Sequence, residues 1–469
     1  MSPYDHIMLD STNVQPYYIQ IYQAIQNMIL QGEVGEHSKL PPIRTLAQSL
    51  RVNNGTIVSA YKELEIKNLV YSKPGSGTYV ADLEVLLEQK ETLYSLSLPA
   101  TDETVSLDFT GSSPEPDFFP LEAYKKLSDE ILQKDGGYAF SNADAQGYKP
   151  LRDSLSYWLN KRSIWASADQ IHITSGSQQA LDIVSKALIR NGDVVAVESP
   201  VYPGALATIS AKGAKILEIP LLADGLDMSQ LEERARRYPI RFLYTMPCFQ
   251  NPTGYTWTLR KKQQLLYLAK QYDFYILEDD FLSEFSFGSK NLQTLKELDT
   301  DNRVIYIKSI AKLLMPGMRL GFILAPEELN QQIRINKYLA DLSTAGLSQR
   351  IIDLYLRRED WESAFKKMND QYRAKYQLMI REIERHFPKE VTYVPPQGGF
   401  SFWFCLPEGK ESKTLAERAM LLGIRINPGH IYFMNQTPSR YFRIAFGKVS
   451  SSQIRSGISL LGDLLKDIC

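Results

Sequence analysis

The stretch YIKSIAKLLMPGMRLGF, residues 306–322, sets Lys312 between an apolar run and a Pro-Gly turn, with Ser309 just before it and Arg319 shortly after. An ordinary surface lysine needs no such neighbours. A primary amine flanked by a hydroxyl and a guanidinium suits a Schiff base with an aldehyde that also carries a phosphate. The amine would hold the carbonyl carbon, while Ser309 and Arg319 bind the phosphate, the arginine bidentately.

Four other stretches supply what such a ligand would need. Asp279 stands at the acidic end of the run FYILEDD, last but one, where a carboxylate can face a ring nitrogen and keep it protonated. In ITSGSQQAL a strand turns through Gly176 into a helix, so the amides of Ser177 and Gln178 form a helix start suited to phosphate. Asn251 in NPTG can donate to a ring hydroxyl, and Tyr202 in ESPVYPG can stack on a ring face. Each motif alone has a plainer reading: a solvated acid, a turn, a helix cap. In this order on one frame, they point to pyridoxal 5′-phosphate as cofactor, with Lys312 as the Schiff-base residue.

The elements that must position these residues are legible in the hydrophobic pattern. DVVAVESP, RFLYTMPCF, FYILEDD and RVIYIKS are short apolar runs, separated by helical stretches such as LRKKQQLLYLAKQY. The alternation predicts an α/β domain from about residue 106 with a mostly parallel, buried sheet. In such sheets ligands sit beyond the carboxyl ends of the strands, where Asn251, Asp279 and Lys312 fall. In RYFRIAFG, alternation puts Tyr441, Arg443 and Ala445 on one strand face. An arginine on so apolar a strand is costly unless paired, and a structural acid is the plain partner.

The first eighty residues have a different pattern. Tyr18, Ile21, Ile25, Met28 and Ile29 recur at helical spacing and predict a helix over 16–31. PIRTLAQSL, residues 42–50, starts on proline and predicts a second helix. After RVNNG, the stretch TIVSAYKELEIKNL puts Ile57, Ala60, Tyr61 and Leu64 on one face of a third. Two short helices around a Gly-containing turn make a helix-turn-helix. LVYSKPGSGTYV adds a hairpin that would serve as a wing. Residues 38–80 hold six lysines and arginines against Glu63 and Glu65, whereas residues 1–37 hold four acids and no lysine or arginine. That excess fits a nucleic-acid face or a solvated one. Residues 81–105 have linker composition.

Residues 40–80 resemble the winged helix-turn-helix of GntR-type transcription regulators, with Arg44 matching the arginine ahead of the turn and Gly75-Ser76-Gly77-Thr78 the wing. The resemblance implies DNA contacts from Arg44, Asn53, Asn54, Thr56, Lys73 and Gly75. Where the family has Ser-Arg at the recognition helix, this chain has Asn53-Asn54, which can read adenine. Residues 106–469 resemble fold-type I aminotransferases, which implies a substrate-carboxylate role for Arg443. The two parts in this order resemble MocR-type regulators, the GabR-like subfamily. That resemblance implies a head-to-tail homodimer that binds promoter DNA and senses an amino acid, an amine or pyridoxal phosphate. Two departures stand out. EDDY reads EDDF, so Phe281 replaces a tyrosine whose phenol would touch the ring hydroxyl, and Ala311 replaces a small hydroxyl residue beside Lys312.

The bulk composition agrees with this frame. At 469 residues the chain is long enough for two domains, and its net charge is −1. It has no apolar run of membrane-spanning length, and its first thirty residues do not read as a signal peptide, so a cytoplasmic protein is expected. Three scattered cysteines and five unclustered histidines give no disulfide framework or metal site. Two further readings remain: an active aminotransferase with an accessory winged helix, and a dimeric scaffold whose N-terminal part binds only protein.

Overall fold

The computed structural model describes residues 4, 7, 9, 15–30, 33–35, 37–66, 69–73, 76–81, 105–142, 144–288, 292–310, 315–358, 360–435 and 438–469. Lys312, Ala311, Gly75 and nearly all of the expected linker lie outside these residues. The chain divides into two compact units, Met1–Thr92 and Leu93–Cys469.

In the first unit, helix α1 (Tyr17–Leu30) buries Ile21, Ile25 and Ile29, which lie on one stripe because they are four residues apart. Helix α2 (Ile43–Ser49) starts after Pro42, whose fixed φ suits a helix entry, and buries Leu46 and Ala47. Helix α3 (Asn54–Ile66) buries Ile57, Ala60, Tyr61 and Leu64 against the same core. The Tyr61 hydroxyl donates to the Pro41 carbonyl at 2.8 Å, fastening the third helix to the entry of the second. Strands β1 (Val70–Lys73) and β2 (Gly77–Val80) pair antiparallel, with Val70 opposite Val80 closing the core.

Helix α3 starts two residues earlier than its apolar pattern predicts. Asn53 Oδ1 accepts both the amide (2.8 Å) and the hydroxyl (3.0 Å) of Thr56, a side-chain cap that organises the first turn.

The second unit is built on an eight-stranded sheet. In chain order its strands are β3 (Ile171–Thr174), β4 (Val194–Ser199), β5 (Lys215–Leu222), β6 (Gly225–Leu226), β7 (Ile240–Thr245), β8 (Tyr275–Asp280), β9 (Val304–Lys308) and β10 (Gly321–Leu324). Their order across the sheet is β3-β10-β9-β8-β7-β4-β5-β6. The five central strands from β9 to β5 are parallel, whereas β10 and β6 run antiparallel. All of β3, β9 and β10 is buried, as expected of strands covered on both faces.

A second sheet of four strands follows. Strands β11 (Thr392–Tyr393), β12 (Ser401–Cys405), β13 (Asn427–Pro428) and β14 (Tyr441–Ala445) are ordered β11-β12-β14-β13. Phe402 and Phe404 of β12 pack with Phe442 and Phe446 in an aromatic core, leaving Arg443 on the other face of β14.

Candidate functional site

The site of the large unit lies at the carboxyl ends of the central parallel strands. A cavity of about 390 Å³ is lined by Ser177, Tyr202, Asn251, Asp279, Phe281 and Arg443, together with Thr110, Ser112 and Tyr432 among others. Six residues singled out in the sequence are thus gathered in one place. Gln178, Ser309 and Arg319 are not among its lining residues. Ser309 is buried just past the end of β9.

Asp279 sits near the end of β8, and its Oδ2 accepts the Tyr244 hydroxyl at 3.0 Å. Helix α4 (Ser177–Leu188) begins after Gly176, which has φ +83° and no side chain to cap the first turn. Its first amides therefore remain available to an anion. A Cβ at Gly176 would stand 3.1 Å from Arg319 Nη2, so glycine is what lets the guanidinium approach the helix start. Arg319 itself is in the left-handed region, at φ 50°, and donates to the Ser175 carbonyl at 2.8 Å. A non-glycine residue held in that region is the kind of local strain that clusters at functional sites.

Tyr202 ends a turn and caps helix α5 (Pro203–Ser210). Its ring lies back over Gly204, where a Cβ would meet the ring carbons and hydroxyl within 2.7 Å. The Tyr202 hydroxyl donates to Gln178 Oε1 at 3.2 Å, and Gln178 Nε2 donates to Thr208 at 2.8 Å. Gln178 thus steadies the ring from helix α4, a side-chain role that its place at a helix start did not reveal. Burial, and then the nearby negative charge of Asp279, push the Tyr202 phenol above its ordinary value.

A buried carboxylate organises the two loops that carry Tyr202 and Asn251. Glu198 accepts from the Thr245 hydroxyl (2.6 Å), the Met246 amide (3.0 Å) and Gln250 Nε2 (3.0 Å). Gln250 Nε2 also donates to the Pro200 carbonyl at 2.8 Å, while its Oε1 receives the amide and hydroxyl of Thr253. One glutamine thereby fastens the turn before Tyr202 to the turn that contains Asn251. Burial pushes Glu198 up to about 7 despite those three donors.

Arg443 is 3% exposed and makes only neutral contacts. Its Nε donates to Ser401 Oγ at 3.0 Å, its Nη1 to the Thr110 carbonyl at 3.0 Å, and its Nη2 to Ser112 Oγ. No acid among the described residues pairs with it, so the structural-acid alternative is not met.

The residues present fit pyridoxal phosphate. Asn251 Oδ1 is buried and has no hydrogen-bond partner among the described residues, in the wall of a cavity that also holds the Asp279 carboxylate and the Tyr202 ring. A buried amide left in that state calls for a polar guest. The uncapped start of helix α4 suits the guest's phosphate.

In the first unit, Arg44 on α2 and Asn53, Asn54 and Lys73 are exposed. The amide and hydroxyl of Thr56 both donate to Asn53 Oδ1 within the turn. On the wing, Tyr71 and Tyr79 stack with ring centroids 5.8 Å apart. The Lys73 ammonium stands 5.6 and 5.2 Å from those rings, and that of Lys39 stands 5.9 Å from Tyr79. Lys39, Tyr71 and Tyr79 were not anticipated, although Tyr71 and Lys73 share one strand face by alternation.

Residues 112–461 match the family model for aminotransferase class I and II, and residues 17–80 match that for bacterial regulatory proteins of the gntR family. The chain is 32% identical to an aromatic-amino-acid aminotransferase of Thermococcus litoralis, over 87% of this chain and 97% of that protein. It is 28% identical to an uncharacterised HTH-type transcriptional regulator, YdfD, of Bacillus subtilis, over 97% of both chains. Among solved structures it resembles LysN, the alpha-aminoadipate aminotransferase of Thermus thermophilus complexed with N-(5′-phosphopyridoxyl)-L-leucine. That likeness has a TM-score of 0.74 and 33% identity, over 78% of this chain and 93% of that one.

The chain belongs to the aminotransferase class I and II family, and pyridoxal phosphate is the cofactor of its large domain. With a gntR-family region ahead of that domain, it has the composition of MocR/GabR-type regulators. One relative of the same two-part length is the probable rhizopine catabolism regulatory protein MocR of Rhizobium meliloti, 26% identical over 97% of this chain and 95% of that one. No described helix is long and apolar enough to cross a membrane.

Proposed function

We propose that this protein is a DNA-binding transcription regulator of the MocR/GabR type whose aminotransferase-like domain is a sensor. The sensed molecule is pyridoxal phosphate itself or an amino acid or amine that meets it in the cavity. The observation that carries the reading is Arg443: a buried guanidinium with only neutral partners, in the same cavity wall as Asp279. Such a charge is receptive to a carboxylate.

In this reading Lys312 holds the cofactor, Asp279 faces its ring nitrogen, and Tyr202 stacks on the ring. Asn251 meets the ring hydroxyl, while Ser177, Gln178, Ser309 and Arg319 surround the phosphate. When bound, the cofactor supplies an electron sink and an exchangeable carbonyl. Arg443 orients an incoming amino acid by its carboxylate, and the occupant biases the regulator between two arrangements. Arg44, Asn53, Asn54, Thr56, Lys73 and Gly75 contact promoter DNA. A head-to-tail homodimer in the cytoplasm, on paired half-sites, completes the proposal; exposed Tyr138, Phe140, Ile335 and Leu339 support a second copy.

Footprinting of the chain's own promoter region, with and without pyridoxal phosphate and candidate amino acids, tests the reading. Protection that changes with the cofactor or an amino acid is expected; no protected DNA in any state would overturn it. A second reading, an active aminotransferase with an accessory winged helix, is favoured by the likeness to the Thermococcus litoralis enzyme. Phe281 weighs against it, because this apolar ring lines the cavity without offering a hydroxyl. Sustained oxo-acid production over many turnovers would decide for the enzyme.

A further inference from the structure

Asp279 is held from within the sheet. Tyr244 lies on β7, next to β8, and strand register sets it opposite Leu277 of β8 and Val197 of β4. Residues 277 and 279 point to one face of β8, so the Tyr244 side chain shares the face of Asp279. Its ring is fully buried among the core residues of the sheet, and its hydroxyl donates to Asp279 Oδ2 at 3.0 Å. A phenol in the middle of an apolar strand is ordinary core packing until its hydroxyl is accounted for. Here the hydroxyl ends on Asp279, the carboxylate that lines the cofactor cavity among the described residues.

We propose that Tyr244 is a positioning residue for cofactor binding: its hydroxyl pins one oxygen of Asp279 and so turns the carboxylate toward the ring nitrogen it must meet. The geometry gives this contact two consequences. A planar carboxylate with one oxygen fixed by a buried donor has a single rotational setting, which an unpinned Asp side chain would have to find at an entropic cost. A hydrogen bond donated to the ionised form also favours that form. The donor stays protonated throughout the working range, because burial and then the charge of Asp279 push the Tyr244 phenol well above its ordinary value. Tyr244 therefore acts on the cofactor only through Asp279 and needs no contact with the cofactor itself.

This inference rests on the reading that Asp279 faces the cofactor's ring nitrogen, and the test separates the two. The full-length protein is loaded with pyridoxal phosphate labelled at that nitrogen, and the nitrogen's NMR shift reports its protonation directly. Tyr244→Phe deletes the hydroxyl and keeps the ring. It is expected to weaken cofactor affinity by roughly ten- to a hundredfold, the loss of a hydrogen bond to a charged group. It should also move the nitrogen signal from the protonated toward the neutral position near neutral pH. Asp279→Asn should move it further in the same direction.

If Tyr244→Phe leaves shift and affinity unchanged while Asp279→Asn alters both, Tyr244 is a packing residue and the inference falls. If Asp279→Asn itself leaves the shift unmoved, the assignment of Asp279 fails and takes the inference with it. Should Tyr244→Phe fold poorly, a fluorinated tyrosine placed at position 244 serves instead. It alters the donor's strength and keeps the ring, so the nitrogen signal and the cofactor affinity must both change, and values equal to those of the unmodified protein overturn the proposal.

Discussion

Replacing Arg443 by methionine removes the charge and keeps most of the length of the side chain. The native structure loses three hydrogen bonds, to Ser401, the Thr110 carbonyl and Ser112. At about 1.5–2 kcal/mol each, as bonds from a charged donor, that is a loss of about 5 kcal/mol. Against it stands the removal of a guanidinium that is 3% exposed and has no described acid beside it, whose desolvation costs several kcal/mol. The two effects nearly cancel, so Arg443→Met should alter unfolding free energy by no more than about 1–2 kcal/mol. Carboxylate recognition has no such compensation. An effector that uses its carboxylate should bind about 2–5 kcal/mol more weakly, roughly thirty- to several-thousand-fold. The assay compares an amino acid with its decarboxylated amine, each titrated against the cofactor-loaded protein, for wild type and Arg443→Met. Wild type should prefer the amino acid and the variant should lose that preference, the coupling being read as a double difference. A variant that loses more than about 3 kcal/mol of stability but keeps the preference would make Arg443 a structural residue and refute the reasoning.

Arg44→Ala should weaken operator binding and lower the slope of log affinity against log salt by about one, the signature of a lost phosphate contact; an unchanged slope removes Arg44 from the interface. Lys308→Met should cost about 3–5 kcal/mol in urea unfolding, since it strands the buried carboxylates of Asp280 and Glu284, each 2.9 Å from the ammonium. Glu198, pushed from its ordinary 4.5 up to about 7, binds its proton more tightly in the native state. Native stability therefore falls as pH rises through that window, and Glu198→Gln is exempt. The stability difference between the two proteins should move in the variant's favour by roughly 2 kcal/mol from about pH 5 to about pH 8. A difference that stays flat with pH contradicts burial as the cause.

Much of the frame could be read from the sequence because buried parallel strands announce themselves as apolar runs with a polar end. FYILEDD and RVIYIKS became β8 and β9 nearly residue for residue, and ITSGS became a strand, a glycine turn and a helix start. The residues that were not legible owe their roles to strand order. Tyr244 looks like one more aromatic in RFLYTMP; only the adjacency of β7 and β8 brings its hydroxyl to Asp279. Glu198 and Gln250 are joined by the adjacency of β4 and β7. Ser112 and Thr110 lie more than three hundred residues before the arginine they hold, and no local pattern links them. In the first unit, apolar periodicity cannot see a cap, which is why α3 begins at Asn54 rather than at Thr56.

The run Glu278-Asp279-Asp280 places three acids in succession on one buried strand. Three adjacent acids would repel one another at the dielectric of an interior, yet each is handled differently because successive side chains point to opposite faces. Glu278 takes the amides of Leu295 (2.8 Å) and Lys296 (2.8 Å) at the start of a short helix; burial still pushes it up to about 7, which lowers the charge it presents. Asp280 points the same way as Glu278 and is opposed by burial. Lys308, its register partner on β9, and the Tyr306 hydroxyl at 2.5 Å outweigh that burial and hold its carboxyl below the ordinary range. Lys308 in turn is raised, since Asp280 and Glu284 overcome its own burial. With Glu278 and Asp280 on the far face, Asp279 lines the cavity, and its Oδ2 accepts the Tyr244 hydroxyl. In the proposed reading, the Tyr244 hydroxyl aims that carboxylate at the ring nitrogen of the cofactor.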